Sequence, residues 1–224
     1  ANLYGMNHGW PDGSWAERRR IYAAHQHFTQ GLFYFLTHDP CVPESVRREW
    51  RLWGYAADEF TDNAGWPRRL YVRSARRMLS DYVITEHHLS TRVDRPVAED
   101  PIGVAFWPPD SHHVRRIVRD GLAYNEGFVF PEKGQWQSFG ISYRALVPKR
   151  DECTNLLVPG CPSSSYVGYG SLRIEWTFMV MGQSAASAAA IACKHKIAVQ
   201  DVPYPLLKNN LIEGRQILTL KSSD

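Results

Sequence analysis

The chain has 224 residues, of which 44% are hydrophobic, 22% charged and 12% aromatic, so it can bury a core and is not disordered by composition. A formal charge of +3 is too mild to indicate a nucleic-acid partner. No apolar run reaches the ~18 residues of a spanning helix, and the first residues do not form a signal peptide. We therefore expect a soluble protein, with a cytoplasmic or a secreted location both open.

The four cysteines are Cys41, Cys153, Cys161 and Cys193. They follow no CxxC or Cys/His spacing, so we predict no metal site. The separation of Cys153 and Cys161 permits a small disulfide loop, although a free buried cysteine is the more common outcome.

The first helix is predicted after a loop over residues 1–13. Ser14 and Glu17 have capping-box spacing, in which the hydroxyl accepts from a free amide and the carboxylate reaches back. Asp39 and Pro40 are expected to end this helix. Apolar residues follow the cap at helical spacing: Ile21, Ala24, Phe28, Leu32 and Phe35.

A second helix is predicted over residues 43–53, with proline in its first turn and Gly54 as its terminator. Two further segments are ambiguous: residues 70–72 favour a strand and residues 75–83 can be helical. We therefore interpret residues 1–101 as a mainly helical region.

Residues 102–152 are typical of an antiparallel sheet, which we assign to a substrate domain. The first strand is predicted over residues 102–107. Residues 114–118 and the segment from Leu122 flank Asp120-Gly121, the strongest short signal for a hairpin turn. A further strand is predicted over residues 139–147.

The last region, residues 153–224, is predicted to form a strand, a loop and a helix. The strand is the apolar run 154–158, the loop of small residues spans 163–171, and the helix runs from about Leu172 to His195. A final helix is predicted from Asp201 through Leu211, with Gly214 beyond it. The predicted fold class is therefore α+β.

A strand leading through a small-residue loop into a helix is a common way to approach an anionic cofactor, although an alanine-rich helix more often packs closely on a neighbour. Here the segments NLLVPG and SLRIEWTFMVMGQSAASAAAIA resemble the C-terminal flavin-binding segment of a family of FAD-dependent oxidoreductases. Upstream segments resemble the same family in the same order, so the resemblance covers most of the chain: EFTDNAGWPRRLYVRSARRM, YVITEHH, DSHHVRR, NEG, ISYRALVPKRDECTNLLVP and AVQDVPYPLLKNNL.

The resemblance implies FAD as the cofactor and a small-molecule substrate whose hydride is transferred to the flavin. The tryptophans in predicted loops, rather than the resemblance, suggest that this substrate is hydroxylated or sugar-like. Related flavoproteins bind the ADP part of FAD with an N-terminal strand–GxGxxG–helix, and this sequence contains no GxGxxG. We therefore expect the chain to be the C-terminal half of such an enzyme. We expect its partner to be a missing N-terminal FAD-binding half, in the same or a separate chain, and this chain to be inactive by itself.

The resemblance also implies which residues lie near the flavin. The physical case is best for Gly182 and Ser184, where close approach and hydrogen bonding are both feasible, and helix packing is the alternative. The implied cofactor-binding residues are Gly170, Ser171, Arg173, Gly182, Gln183 and Ser184.

His112 is the best candidate for the catalytic base, because a histidine near neutral pKa can take a proton as hydride leaves a substrate carbon. Asp110 is predicted to orient it. Tyr143 is a further catalytic candidate, and Arg144 beside it is predicted to bind a substrate oxygen or carboxylate. The predicted substrate-binding residues are Arg73, Arg76 and Arg144, whose guanidinium groups suit carboxylates or phosphates.

Two other functions fit parts of the sequence. A non-catalytic carbohydrate-binding module is the alternative, because indole rings stack on sugars and several tryptophans lie in or beside predicted loops, although core packing is the default. A hydrolase using Glu86 and Asp110 is weaker, since nothing in their spacing demands it. The loop tryptophans are Trp10, Trp15, Trp66, Trp107 and Trp136.

Overall fold

The structure is a computed structural model that describes residues 3–94, 96–129 and 132–219. The chain separates into two compact units, Ala1–Ala75 and Arg76–Asp224. The three-region division expected from the sequence stays a prediction. The described helices and strands together make the fold α+β, as predicted.

The first unit contains helices α1 (Trp15–His38) and α2 (Glu44–Trp50). The predicted capping box is confirmed: the Ser14 hydroxyl accepts from the Glu17 amide, and the Glu17 carboxylate accepts from the Ser14 amide at 2.7 Å. The two helices contact through stacked rings of Phe33 and Trp50, with centroids 5.7 Å apart. Arg47 of α2 also donates to the Asp39 carbonyl at the end of α1, so the two helices are joined by both aromatic and polar contacts.

Helix α2 is shorter than predicted, because it ends at Trp50 rather than at Trp53. Arg51 follows the helix and donates from Nε to the Thr37 carbonyl at the end of α1, a contact that the local sequence does not reveal. Residues 70–72 and 75–83 form neither the strand nor the helix that their composition permits.

The second unit has two separate two-stranded antiparallel sheets. One pairs β1 (Pro101–Ala105) with β4 (Phe139–Ser142), and the other is the hairpin of β2 (Arg115–Arg119) and β3 (Leu122–Glu126). The predicted Asp120-Gly121 turn is confirmed, since both residues have positive φ, 52° and 75°, as a type I′ turn requires.

The second half of the strand predicted over 139–147 is a one-turn 3-10 helix, Tyr143–Leu146. The Ser142 hydroxyl and the distant carboxylate of Asp100 both accept from the Arg144 amide, at 3.2 and 3.1 Å. These contacts turn the chain out of the sheet direction.

Three helices complete the second unit: α3 (Tyr166–Leu172), α4 (Glu175–His195) and α5 (Tyr204–Glu213). The predicted loop over 163–171 therefore contains a short helix, since Ser165 caps it by accepting from the Gly168 amide. The predicted strand over 154–158 is not formed. Its backbone makes isolated hydrogen bonds instead, including Val158 to the Leu146 carbonyl at 2.9 Å.

The core of the second unit lies between the β1–β4 sheet and helix α4. Ile102 and Ile141 from the sheet and Met181 and Ala188 from the helix are all fully buried. The Ser184 hydroxyl donates to the carbonyl of Ile102, 3.2 Å away, so helix and strand are in direct contact. This packing fixes the start of α4 beside the end of β1.

No helix in the described ranges is long and apolar enough to cross a membrane. The structure also shows all four cysteines as free thiols, so the disulfide that the sequence permits is not formed.

Candidate functional site

The candidate site is the place where the loop after β1 meets the junction of α3 and α4. Arg173 occupies this junction and donates from Nε and Nη2 to the Asp110 carbonyl, at 3.1 and 2.9 Å. Its Nη2 also lies 3.1 Å from Oδ2 of Asp110. The Asp110 amide in turn donates to the Gly170 carbonyl at 3.2 Å. Three residues predicted separately for catalysis and cofactor binding are thus brought together.

The glycine at this junction allows an approach that no other residue would. A Cβ atom on Gly170 would lie 3.0 Å from the Asp110 carbonyl oxygen and 3.1 Å from its amide nitrogen. Both neighbours are backbone atoms and cannot rotate away. Because glycine has no Cβ atom, the loop and α3 can approach each other this closely at position 170.

Ser171 is fully buried beside this contact, and its hydroxyl has no hydrogen-bond partner among the residues that the structure describes. The hydroxyl of Thr177, in the first turn of α4, is likewise buried and unpartnered there. Buried hydroxyl groups normally have partners, because an unpaired one costs about 1–3 kcal/mol. A hydrogen bond to a bound ligand would give these two hydroxyl groups the partner that the described residues do not supply.

His112 lies in the same loop, half-buried, between two anchored neighbours. The Ser111 hydroxyl donates to the Val129 carbonyl at 2.9 Å and accepts from the Val129 amide at 2.6 Å. The ring of His113 is 5.1 Å from that of Phe128. The backbone on both sides of His112 is therefore held in place, and the Asp110 carboxylate is paired with Arg173.

The remaining predicted cofactor residues lie on α4. Gly182 is partly exposed, and a Cβ added there would meet no heavy atom within 4 Å. Gln183 is exposed and its amide lies 3.5 Å from the Gly214 carbonyl. Ser184 is fully buried, donates to the Val180 carbonyl as well as to that of Ile102, and accepts from the Gln216 amide. Of these three, Gly182 and Gln183 face outward and Ser184 faces the core.

Tyr143 and Arg144 are neighbours in sequence, but the first is buried and the second is exposed. Tyr143 is buried and donates its hydroxyl to the Val199 carbonyl at 2.8 Å. Burial raises its pKa far above the ordinary value, so the phenol stays protonated. Arg144 is exposed, lies 3.4 Å from the Asp100 carboxylate and covers the Tyr82 ring at 4.8 Å.

The other two predicted substrate-binding arginines are both exposed. Arg73 belongs to the first unit and stacks over Tyr71 at 4.9 Å. Arg76 begins the second unit. Arg144 belongs to the second unit as well, and the binding of substrate by these arginines stays a prediction.

A hydrogen-bonded network that the sequence did not indicate surrounds Arg144. Asp100 is buried and accepts from the Ser142 hydroxyl at 2.6 Å. The Tyr82 hydroxyl lies 3.0 Å from Nε2 of His88, and Nδ1 of that buried ring accepts from the Thr85 amide at 3.1 Å. The imidazole therefore carries its proton on Nε2 and donates to Tyr82. Burial lowers the pKa of His88 and raises that of Tyr82, so both are neutral near pH 7.

A profile of the FAD dependent oxidoreductase family matches residues 2–211. The chain belongs to this family. The match extends from the N-terminal loop into α5, and it confirms the resemblance seen in the sequence. No curated protein and no solved structure gave a match. The cofactor of the family is FAD. At the junction of α3 and α4, the buried Ser171 hydroxyl, which has no partner among the described residues, suits a bound group, whereas the space beside Gly170 is filled by the Asp110 backbone.

Proposed function

We propose that this chain forms the part of an FAD-dependent dehydrogenase or oxidase that faces the flavin ring and the substrate. The observation that supports this most is the contact between Asp110, Gly170 and Arg173, with the unpartnered Ser171 hydroxyl beside it. Asp110 is 60 or more positions away in sequence from Gly170 and Arg173, and it meets them where the family resemblance predicts the cofactor. The proposed substrate is a hydroxylated small molecule.

FAD, when bound, supplies the two-electron acceptor that takes hydride from a substrate carbon. The protein's part is to hold the ring and the substrate and to move a proton. Ser171 would donate a hydrogen bond to the ring. Gly182 and the exposed small residues one and two turns further on, Ala186 and Ala190, leave room along α4 for the cofactor to lie close to the helix.

His112 would accept the proton of the substrate hydroxyl as hydride leaves the same carbon. Its neighbours are anchored to Val129 and Phe128, so little reorganisation is needed to keep the imidazole in position. Asp110 then acts as a positioning residue, since its pairing with Arg173 fixes the loop that carries His112.

The roles of Tyr143 and the arginines also remain proposals. The Tyr143 hydroxyl would have to exchange its bond to Val199 for one to substrate, and Tyr143→Phe tests this by its effect on turnover. Arg144 is the best placed of the three arginines for substrate, because half of its side chain is exposed beside the Tyr82 ring. An anionic or hydroxyl-bearing group would bind there.

The ADP part of FAD would be bound by a strand–GxGxxG–helix outside these 224 residues, because no segment within them has that pattern. This predicts that the isolated chain binds FAD weakly. Joining it to, or mixing it with, such a segment should yield a stable yellow protein. A colourless complex with both parts present would contradict the proposed function.

The test of the proposed base is His112→Ala in the flavin-loaded protein. Substrate should reduce the flavin far more slowly, by about 100-fold or more, while FAD stays bound. His87→Ala is the matched control, because His87 is exposed and lies outside the α3–α4 junction. Equal reduction rates in wild type and His112→Ala would remove His112 from the catalytic residues.

A carbohydrate-binding module without redox activity is the second candidate, and one observation favours it: a cluster of exposed aromatic rings beside the junction, formed by Phe106, Trp107 and Trp176. It predicts sugar binding that does not depend on flavin. Reduction of bound FAD by any substrate would exclude it.

A further inference from the structure

Three aromatic side chains form an exposed cluster where β1 ends and α4 begins. Phe106 and Trp176 stack with centroids 5.7 Å apart and planes inclined by 13°, and Trp107 meets Trp176 edge-on at 5.4 Å. Their exposed fractions are 49%, 41% and 40% for Phe106, Trp107 and Trp176. We call this cluster the aromatic platform: its three rings contact one another and still leave 40–49% of each residue exposed to solvent.

The aromatic platform is held by the ion pair of the candidate site. Trp107 precedes Asp110 by three residues, and Trp176 follows Arg173 by three residues. The Asp110–Arg173 contact therefore ties together the two chain segments that carry the rings. Because the rings are already placed, a ligand that stacks on them loses less binding free energy to ordering of the protein.

A carboxylate acceptor lies on the same loop. Oδ2 of Asp110 accepts a hydrogen bond from Nη2 of Arg173. Among the residues that the structure describes, none donates a hydrogen bond to the other carboxylate oxygen, Oδ1. The side chain of Asp110 is 37% exposed. His112, two residues further along, supplies a second polar group. Indole faces combined with a carboxylate acceptor match a ring that has C–H groups on one face and hydroxyl donors at its edge.

We propose that the aromatic platform is the substrate subsite and that it binds a pyranose ring. The C–H face of the sugar stacks on Trp107 and Trp176, and a ring hydroxyl donates to the free oxygen of Asp110. This inference rests on the proposed function, since it names the substrate class of that same site. His112 lies two residues from Asp110 in the same loop and is the group that we propose to accept the proton of the bound hydroxyl.

The test uses the full chain, with and without FAD, and methyl β-glucopyranoside, methyl β-galactopyranoside and methyl α-mannopyranoside as probes. Binding is measured by saturation-transfer NMR and by tryptophan fluorescence. Sorbitol is the control ligand, because it has the hydroxyl groups of a hexose without the ring face. We expect at least one pyranoside to bind and sorbitol to bind much more weakly.

The variants are Trp176→Ala and Trp107→Ala, with Trp176→Phe as the conservative change. Each alanine variant should weaken pyranoside binding by about tenfold, comparable to the loss of one stacked ring elsewhere, while Trp176→Phe keeps most of it. Trp53→Ala is the matched control, since Trp53 is 75% exposed and lies in the first unit. Circular dichroism checks that each variant is folded.

The possible outcomes separate this inference from the proposed function. Pyranoside binding that depends on Trp107 and Trp176 supports the sugar site. Failure of that pyranoside to reduce FAD bound to the chain joined to a strand–GxGxxG–helix segment would then contradict oxidation of the sugar rather than its binding. Flavin reduction by a hydroxylated compound at a rate unaffected by Trp176→Ala supports the function and overturns the subsite. The subsite is also overturned if no probe binds wild type, if Trp53→Ala has the same effect, or if the platform instead mediates self-association that Trp176→Ala abolishes.

Discussion

Gly182 lies in the middle of α4 with open space around its α-carbon, and replacing it by alanine should separate folding from cofactor binding. No heavy atom lies within 4 Å of the added Cβ, so the substitution creates no clash within the chain. What remains is helix propensity, which favours alanine over glycine by about 1 kcal/mol in a helix interior. The free energy of unfolding should therefore rise by about 1 kcal/mol, or the Tm by about 2–4 °C for a domain of this size.

The same methyl group would occupy space that we assign to the flavin. Overfilling a packed contact costs about 1–3 kcal/mol, so FAD should bind about 5- to 150-fold more weakly to Gly182→Ala than to wild type. Urea unfolding followed by circular dichroism measures the first effect, and titration of flavin fluorescence measures the second. Gly31→Ala is the matched control: it lies inside α1, also has nothing within 4 Å, and should stabilise the protein without changing FAD affinity.

Two results would refute this reasoning. A loss of stability in Gly182→Ala would show that the helix face is covered by something that the chain's own contacts do not include. An increase in stability with unchanged FAD affinity would remove Gly182 from the cofactor-binding residues. The presence of glycine inside the helix would then have no explanation.

Three further substitutions test the structure. Arg173→Ala removes three hydrogen bonds from a buried guanidinium to Asp110, and urea titration should show a loss of about 3 kcal/mol; a loss below about 1 kcal/mol contradicts the contact. Gly168→Ala places a Cβ 2.5 Å from the Ile84 carbonyl oxygen and should cost at least about 2 kcal/mol, whereas wild-type stability would refute that approach. Burial lowers the pKa of His88 in the folded protein below the ordinary value of about 6.5. Below about pH 6.5 the unfolded chain therefore binds more protons at this residue than the folded chain does, and the free energy of unfolding should fall from pH 7 to pH 5. Urea unfolding across this range should show a smaller decrease for His88→Gln, and equal decreases would argue against the buried neutral ring.

Features set by neighbouring residues could be predicted from the sequence. The start of α1 follows from the reciprocal hydrogen bonds of Ser14 and Glu17, three positions apart. The β2–β3 turn follows from Asp120 and Gly121, residue types that tolerate positive φ. The last helix, predicted through Leu211 with Gly214 beyond it, ends at Glu213, immediately before that glycine.

Features set by distant contacts could not be predicted. Helix α2 ends early beside the bond from Arg51 to Thr37, and β4 ends where Asp100 accepts from the Arg144 amide. Nothing in the spacing of these residues indicates that they meet. Each such contact shifts the end of a helix or strand by only a few residues. The types of the elements were therefore predicted better than their bounds.

The candidate site shows the same division. Spacing predicted no link between Asp110 and Arg173. The resemblance placed Arg173 near the cofactor, Asp110 was predicted separately to orient His112, and only the structure shows that the two are in contact. Trp176 was missed as a site residue because a tryptophan in a predicted helix is expected to pack, and its contacts with Phe106 and Trp107 are visible only in the structure.

The most direct test of the central claim is retention of FAD by the protein joined to a strand–GxGxxG–helix segment. After incubation with FAD and gel filtration, we expect flavin absorbance to coelute with protein, and to decrease when Gly182→Ala is introduced but not with Gly31→Ala. A folded, colourless protein at saturating FAD would contradict the assignment of the α3–α4 junction as a flavin site.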